Sequence, residues 1–188
     1  MALLPSIFLL RYFIKSDRFP EPTGVLVRTF VYGVVIVIPI LIAESIVQVS
    51  LSDVGGPATQ ALITSFLVAG LCEESFKFLV LHQYCAKQSA FDEPMDAVVY
   101  GVVASLGFAT LENVLYVSQG GLSAAVMRAI TAVPAHACFG ALMGYFYARA
   151  HFDNGQKSGY GAALAIPVLV HGLYDALLAA DVPFDVIT

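Results

Sequence analysis

Six apolar segments constrain this chain more than any other feature of its sequence. Short stretches with turn residues and many of the charged side chains separate them. A membrane-spanning helix needs about 20 such residues, and the segments lack the strict alternation of apolar and polar residues that is typical of a membrane β-barrel. We therefore predict membrane helices, the first of them short, at residues 2–14, 25–50, 59–84, 95–118, 122–148 and 160–180.

The composition agrees with a membrane protein and excludes two other classes. Apolar residues make up 59% of the 188 residues, and charged residues make up only 12%. A soluble enzyme of this length needs roughly 25% charged residues to cover its surface. The net charge of −5 offers no basic surface for nucleic acid. We predict an all-α fold: one integral-membrane domain over residues 1–188, built as a polytopic bundle of about six transmembrane helices.

The positive charges predict an orientation. The loop positions of Lys and Arg follow the first, third and fifth predicted helices, as Arg11, Lys15, Arg18, Arg28, Lys87, Arg149 and Lys157. Loops with an excess of Lys and Arg stay on the cytoplasmic side of a membrane. We therefore expect these loops in the cytoplasm and both chain ends outside.

Four consecutive predicted helices carry polar groups inside the bilayer, where a charge costs on the order of 3 kcal/mol on insertion scales. The set comprises Glu73, Glu74, Lys77, Glu112, Asn113, His136, His171 and Asp175. Counted from the loops, these groups lie between mid-depth and the outer half of the membrane. Because four helices bring them to similar depths, we predict a single site. Glu44 of the second helix is interpreted as structural, and Arg128 as an interfacial anchor or the partner of an outer carboxylate.

The spacing of these residues along each helix indicates which of them share a helix face. Residues four apart share a helix face, so Glu73 can pair with Lys77, and His171 points the same way as Asp175. Glu74 is rotated by about 100° from Glu73. We therefore expect one of the two glutamates to face the reaction and the other to hold helices together.

Four motifs occur in order on these helices. They are Glu-Glu-x-x-Lys at 73–77, Phe-x₃-Glu-Asn-x₂-Tyr at 108–116, His followed eight residues later by Gly at 136–144, and His-x₃-Asp at 171–175. Their order resembles the PrsW family of intramembrane proteases, which belongs to a clan with the CAAX prenyl endopeptidases and bacteriocin-processing proteins. The loop at 17–22, Asp-Arg-Phe-Pro-Glu-Pro, is also similar to a stretch of that family.

The resemblance implies an intramembrane endopeptidase whose catalytic core is formed by helices 3–6, about residues 59–180. It also implies a substrate class: a membrane protein with a transmembrane segment, such as an anti-sigma factor, which receives a first, outer cut. The expected partners are therefore such a substrate and the lipid bilayer, with no nucleic acid. The expected location is the cell membrane.

The residues themselves favour hydrolysis by an activated water. No serine or cysteine pairs with a histidine at a recognisable spacing, so a protein nucleophile is not indicated. Glu73 is then the expected general base. The oxyanion needs donors, which His171 can supply together with Asn113 or His136.

The alternative is hydrolysis that depends on a bound metal ion. Oxygen and nitrogen ligands from three helices would suit Zn²⁺ or another divalent metal with an open coordination position. The candidate ligands are Glu112, His136, His171 and Asp175. No organic cofactor is expected.

Two other functions stay open from the sequence. Buried Glu, His and Asp on proline-broken helices are also typical of a proton- or ion-coupled transporter. The same fold without catalysis would be a peptide-binding membrane scaffold. The intact set of motifs favours the protease over the scaffold.

Overall fold

The computed structural model describes residues 3–153 and 159–181, which form an all-helical protein without β-strands in these ranges. The described α-helices are α1 (Leu4–Ser16), α2 (Thr23–Val35), α3 (Val37–Ser50), α4 (Pro57–Ile63), α5 (Cys72–Gln83), α6 (Pro94–Ile130), α7 (Ala132–Phe152) and α8 (Gly159–Asp181). A π-helical segment, Thr64–Leu71, joins α4 to α5, and a 3₁₀ turn, Cys85–Lys87, follows α5. The predicted all-α class is confirmed.

Four helical stretches in the described ranges are long and apolar enough to cross a membrane: Thr23–Ser50, Pro94–Ser123, Ala125–Phe152 and Gly159–Ala180. They match four of the six predicted helices. The other two are not among these stretches. Helix α1 has 13 residues and is as short as predicted, and the predicted helix at 59–84 is divided into α4, the π-helical segment and α5. A membrane crossing by these two stays a prediction. Residue 2 of the predicted first helix and Lys157 lie outside the described residues.

The chain reverses direction at Gly121, inside the range of α6. Gly121 has a φ of 63°, a backbone conformation that residues with a Cβ rarely adopt. The chain on its two sides runs antiparallel, because Gly101 faces Gly140 and Ala97 faces Gly144. The predicted break between residues 118 and 122 is therefore confirmed.

The predicted fifth helix, 122–148, is interrupted near the proline that is expected to break it. Its backbone leaves helical geometry at Thr131, where φ is −117° and ψ is −74°. Pro134 follows three residues later and has no N–H to donate to the carbonyl of Ile130, which removes a bond of the helical ladder. The interruption separates the stretch that carries Arg128 from the stretch that carries His136.

Small residues allow α6 and α7 to approach closely. A side-chain carbon at Gly101, Gly140 or Gly144 would collide with the backbone of the facing helix. Such contacts between small residues are a common way to pack helices in a membrane. Gly140 and Gly144 thus form a close helix contact, which fixes which residues of α6 and α7 face each other.

Helix α6 lies at the centre of the bundle, and the other helices have exposed apolar residues on their outer faces. Tyr100, Val102 and Leu106 of α6 are fully buried. Large apolar side chains such as Val49 and Leu177 are exposed on the outer faces. A continuous apolar exterior of this kind is stable against lipid and is rare on monomeric soluble proteins.

Candidate active site

A cavity of about 770 Å³ lies among α3, the π-helical segment, α5, α6, α7 and α8. Its ionisable lining consists of Glu44, Glu73, Glu112, Tyr116, Arg128, His136, His171, Tyr174 and Asp175. Most of the residues that the sequence predicts for one site therefore converge on one cavity. Glu44, which the sequence analysis places outside the site, lines the same cavity.

Lys77 lies at the centre of the buried polar groups. Its Nζ donates to Glu73 Oε2 at 2.9 Å and to Glu74 Oε1 at 2.8 Å. It also donates to Nδ1 of His136 at 3.2 Å, because an ammonium has no acceptor to offer. The predicted pair of Glu73 and Lys77 is confirmed. The side chain of Lys77 is fully buried and packs over the ring of Phe108 at 4.2 Å.

The two glutamates of α5 face different surroundings, as their 100° rotation predicts. Glu73 lines the cavity. Glu74 is fully buried and contacts Lys77 and His171 instead. Glu74 therefore joins α5 to α8, and Glu73 is the glutamate that can meet a substrate.

The partners of His136 fix its tautomer. Because its Nδ1 accepts from Lys77, its proton lies on Nε2. That nitrogen is 3.1 Å from Glu112 Oε2, to which it donates. The lone pair of Nδ1 is thereby directed toward the glutamates of α5.

His171 has a carboxylate on each side. Its Nε2 is 3.4 Å from Asp175 Oδ2, one helical turn away, as the spacing predicts. Its Nδ1 is 2.9 Å from Glu74 Oε1. Because a carboxylate oxygen only accepts, Nδ1 of His171 carries a proton and donates it to Glu74.

The two imidazole rings are placed alike, although Nδ1 accepts from Lys77 in His136 and donates to Glu74 in His171. In both, Nε2 contacts a carboxylate on the side of the ring away from Glu73, and Nδ1 lies 4.0 Å from Glu73 Oε2. This is the arrangement of metal-binding histidines, in which a carboxylate on the far nitrogen fixes the ring and its tautomer.

One group of possible metal ligands lies in this site among the described residues. Single donor atoms of Glu73, Glu74, His136 and His171 all lie within 4.8 Å of one another. The donor types suit zinc, and Glu74 Oε2 is buried without a hydrogen-bond partner. Both observations fit a cation. The Lys77 ammonium lies among the same donor atoms, so a metal ion would compete with it for them.

This group differs from the predicted ligand set at two positions. His136 and His171 belong to it, but Glu112 and Asp175 do not. The physical reason is that both carboxylates contact the outer Nε2 atoms, and that Arg128 Nη2 also donates to Glu112. The structure thus places Glu112 and Asp175 behind the histidines.

Arg128 pairs with the carboxylate of Glu112. Pairing with a carboxylate is one of the two roles that the sequence leaves open for it. The chain reversal at Gly121 brings it back to α6, where its Nε donates to Asn113 Oδ1 at 3.2 Å. Its guanidinium lies over the ring of Tyr116 at 4.0 Å. Asn113 is fully buried and is not among the residues that line the cavity.

Residues 21–187 match the model of a family described as PrsW family intramembrane metalloproteases. The chain belongs to this family. It is 38% identical to the protease PrsW of Geobacillus kaustophilus over 95% of this chain and 78% of that protein. It is also 38% identical to that of Bacillus subtilis, over 95% and 81%, and 30% identical to that of Clostridioides difficile, over 96% and 79%. No solved structure matches the chain.

The predicted resemblance and the predicted enzyme class are thereby confirmed, and the chain is an intramembrane protease. The family description also states metal dependence, which agrees with the histidines and glutamates of the site. The four motifs of the PrsW family thus contribute residues to one polar cluster around the cavity.

Sequence reasoning missed Tyr174 as a site residue. Its hydroxyl is buried, has no hydrogen-bond partner in the described part of the chain, and belongs to a residue that lines the cavity. The available signal is its position three residues after His171, because such neighbours share a helix face. No comparable spacing links Glu44 to the motifs of this PrsW-family chain.

Proposed function

We propose that the chain hydrolyses a peptide bond near the outer membrane face of a single-span membrane protein, with an anti-sigma factor as the expected kind of substrate. The observation that carries this proposal is the position of Glu73. It lines the cavity, and its Oε2 lies 4.0 Å from both inward-facing histidine nitrogens. A general base must come within hydrogen-bond distance of the water that it deprotonates, and a water in the cavity can reach Glu73.

The chain's own residues account for each proton and bond. Glu73 removes a proton from a water molecule while the water oxygen bonds to the scissile carbonyl carbon, whose π electrons move onto the carbonyl oxygen. The intermediate then expels the amide nitrogen, and the proton held by Glu73 passes to that nitrogen. The electron pair of the oxyanion re-forms the carbonyl as the C–N bond breaks. The products are a carboxylic acid and an amine, which become a carboxylate and an ammonium after the acid gives its proton to the amine. Lys77 orients Glu73 through its 2.9 Å contact with Oε2.

The developing oxyanion needs a hydrogen-bond donor at the cavity wall. The sequence assigns this role to His171 with Asn113 or His136. The N–H of His136 already donates to Glu112. Both nitrogens of His171 likewise face carboxylates, those of Glu74 and Asp175. The hydroxyl of Tyr174 has no such acceptor within the described ranges, so we assign the oxyanion to Tyr174.

A divalent metal such as Zn²⁺ would be held by His136 and His171, through Nδ1, and by Glu74. When bound, it would supply a Lewis acid that polarises the scissile carbonyl. Glu112 and Asp175 orient the two imidazoles by their contacts with Nε2.

The location of the cut tests the proposal. The purified protease is reconstituted in lipid vesicles with a single-span substrate that carries a different tag at each end, and the products are mapped by mass spectrometry. We expect one cut in the outer half of the span, with the basic loops of the protease on the cytoplasmic side. A cut on the cytoplasmic side contradicts the orientation. Proton or ion flux without cleavage would favour the transporter.

Replacing Tyr174 with phenylalanine tests the oxyanion assignment. Loss of one oxyanion donor lowers kcat by roughly 10²–10³-fold in other hydrolases, and we expect a loss of this size with a nearly unchanged KM. Tyr116→Phe is the matched control, because Tyr116 lines the same cavity and its ring still packs against Arg128. Equal effects of both substitutions would contradict the assignment.

A further inference from the structure

A second cluster of acidic residues lies far from the active site. Asp17 follows α1, Glu21 precedes α2, and Asp96 lies in the first turn of α6. All three are buried, and one oxygen from each lies within 4.8 Å of the others. Asp96 is sixteen residues from Glu112 on the same helix, which corresponds to roughly 24 Å. The loop at 17–22 that sequence analysis singles out therefore has no part in the proposed catalysis.

Two buried oxygens of this cluster have no hydrogen-bond partner. Asp96 Oδ2 accepts from the backbone N–H groups of Asp92 and Glu93 at 2.8 Å and 2.7 Å. Its Oδ1 has no partner, although Asp96 is fully buried. Asp17 Oδ1 accepts from the backbone of Phe19 at 3.0 Å, and its Oδ2 is also buried without a partner. Buried carboxylate oxygens are costly to leave unsatisfied.

The cluster also has no positive partner within residues 3–153 and 159–181, because no salt bridge there includes its three carboxylates. Tyr100 donates its hydroxyl to Glu21, and the thiol of Cys85 lies nearby. Burial raises the pKa of Glu21 to about 7, and the bond from Tyr100 opposes this rise. A side-chain hydrogen bond with Asp96 and the repulsion from Asp96 and Asp17 add to it. Three buried carboxylates without a counter-charge strongly favour a bound cation.

We propose that Asp17, Glu21 and Asp96 bind one divalent cation, Ca²⁺ or Mg²⁺, which ties the connection between α1 and α2 to the start of α6. Donor sets made only of oxygen select these hard cations over zinc. Oxygens on opposite sides of one Ca²⁺ ion lie about 5 Å apart, so the observed spacing below 4.8 Å is compatible with a shared ion. The two oxygens without a partner are then its ligands.

Thermal unfolding of the full chain in detergent tests this site. A dye that fluoresces on reaction with thiols reports unfolding through the free, fully buried Cys85. At pH 8, we expect 1 mM Ca²⁺ or Mg²⁺ to raise the unfolding temperature by about 4 °C or more relative to EDTA. The larger of the two shifts identifies the preferred ion.

Three variants assign the shift to this cluster. Glu21→Gln is expected to lose it, because the amide keeps an acceptor for Tyr100 but removes a charged ligand. Asp53→Asn makes the same kind of change at an exposed acid of another loop and is expected to retain the full shift. Glu73→Gln is also expected to retain it, which separates this site from the active site. A wild-type chain without a shift, or a Glu21→Gln chain with the full shift, overturns the proposal.

Terbium luminescence keeps the proposal testable should Glu21→Gln not fold. The chain has no tryptophan, so tyrosine must sensitise a bound Tb³⁺ ion, and Tyr100 contacts a proposed ligand directly. We expect tyrosine-sensitised emission that excess Ca²⁺ removes and that Tyr100→Phe lacks. Emission of equal strength from Tyr100→Phe overturns the proposal.

Discussion

Glutamine in place of Glu73 is expected to lower kcat for substrate cleavage by about 10³-fold and to leave the protein folded. The amide cannot take a proton from water, and loss of a general base typically costs 10²–10⁴-fold in rate. The fold is retained because glutamine has the same shape and keeps an oxygen for Lys77, which also remains paired with Glu74. Initial rates in vesicles and the unfolding temperature of the same preparation measure the two effects separately.

Two neighbouring glutamates provide the controls for this experiment. Glu44→Gln makes the same change in the same cavity, outside the cluster of Glu73, and is expected to lower the rate less than tenfold. Glu74→Gln removes a fully buried carboxylate that joins Lys77 to His171. Breaking such a buried pair costs about 3–5 kcal/mol, so this variant is expected to unfold at a lower temperature. A Glu73→Gln rate within tenfold of wild type would remove Glu73 as the base.

The sequence predicts the helices and the convergence of the site for physical reasons. Charged side chains at membrane depth must face other protein groups, so those of four consecutive helices had to meet. Spacing along a single helix is equally reliable. The contacts of Lys77 with Glu73 and of Asp175 with His171 both follow from a separation of four residues.

Contacts between helices were less predictable, because they depend on the rotation of each helix about its axis. The close approach of Gly101 and Gly140 sets this rotation for α6 and α7. As a result, Glu112 contacts the outer nitrogen of His136 and not the centre of the cluster. The spacing of residues along one helix does not show whether a side chain faces the centre of the cluster or its edge.

Metal content is the second property with a large expected effect. After purification in the presence of zinc, elemental mass spectrometry of the wild-type chain is expected to show about one metal ion per chain in the active site. His171→Ala and His136→Ala are each expected to lose most of it, because each removes a nitrogen that faces the glutamates. Asp175→Asn is expected to weaken metal affinity by about 10–100-fold, the usual effect of losing the carboxylate behind a metal-binding histidine.

The control for these variants is His82→Ala. His82 contacts Tyr147 at 2.8 Å and lies outside the cluster, so its loss is expected to leave metal content unchanged. The competing cation is the Lys77 ammonium, which already lies within 3.2 Å of three of the donor side chains. If wild type and His171→Ala both contain no metal after supplementation, Lys77 holds that position during catalysis as well. Hydrolysis would then depend on the water activated by Glu73, with Tyr174 as the donor to the oxyanion.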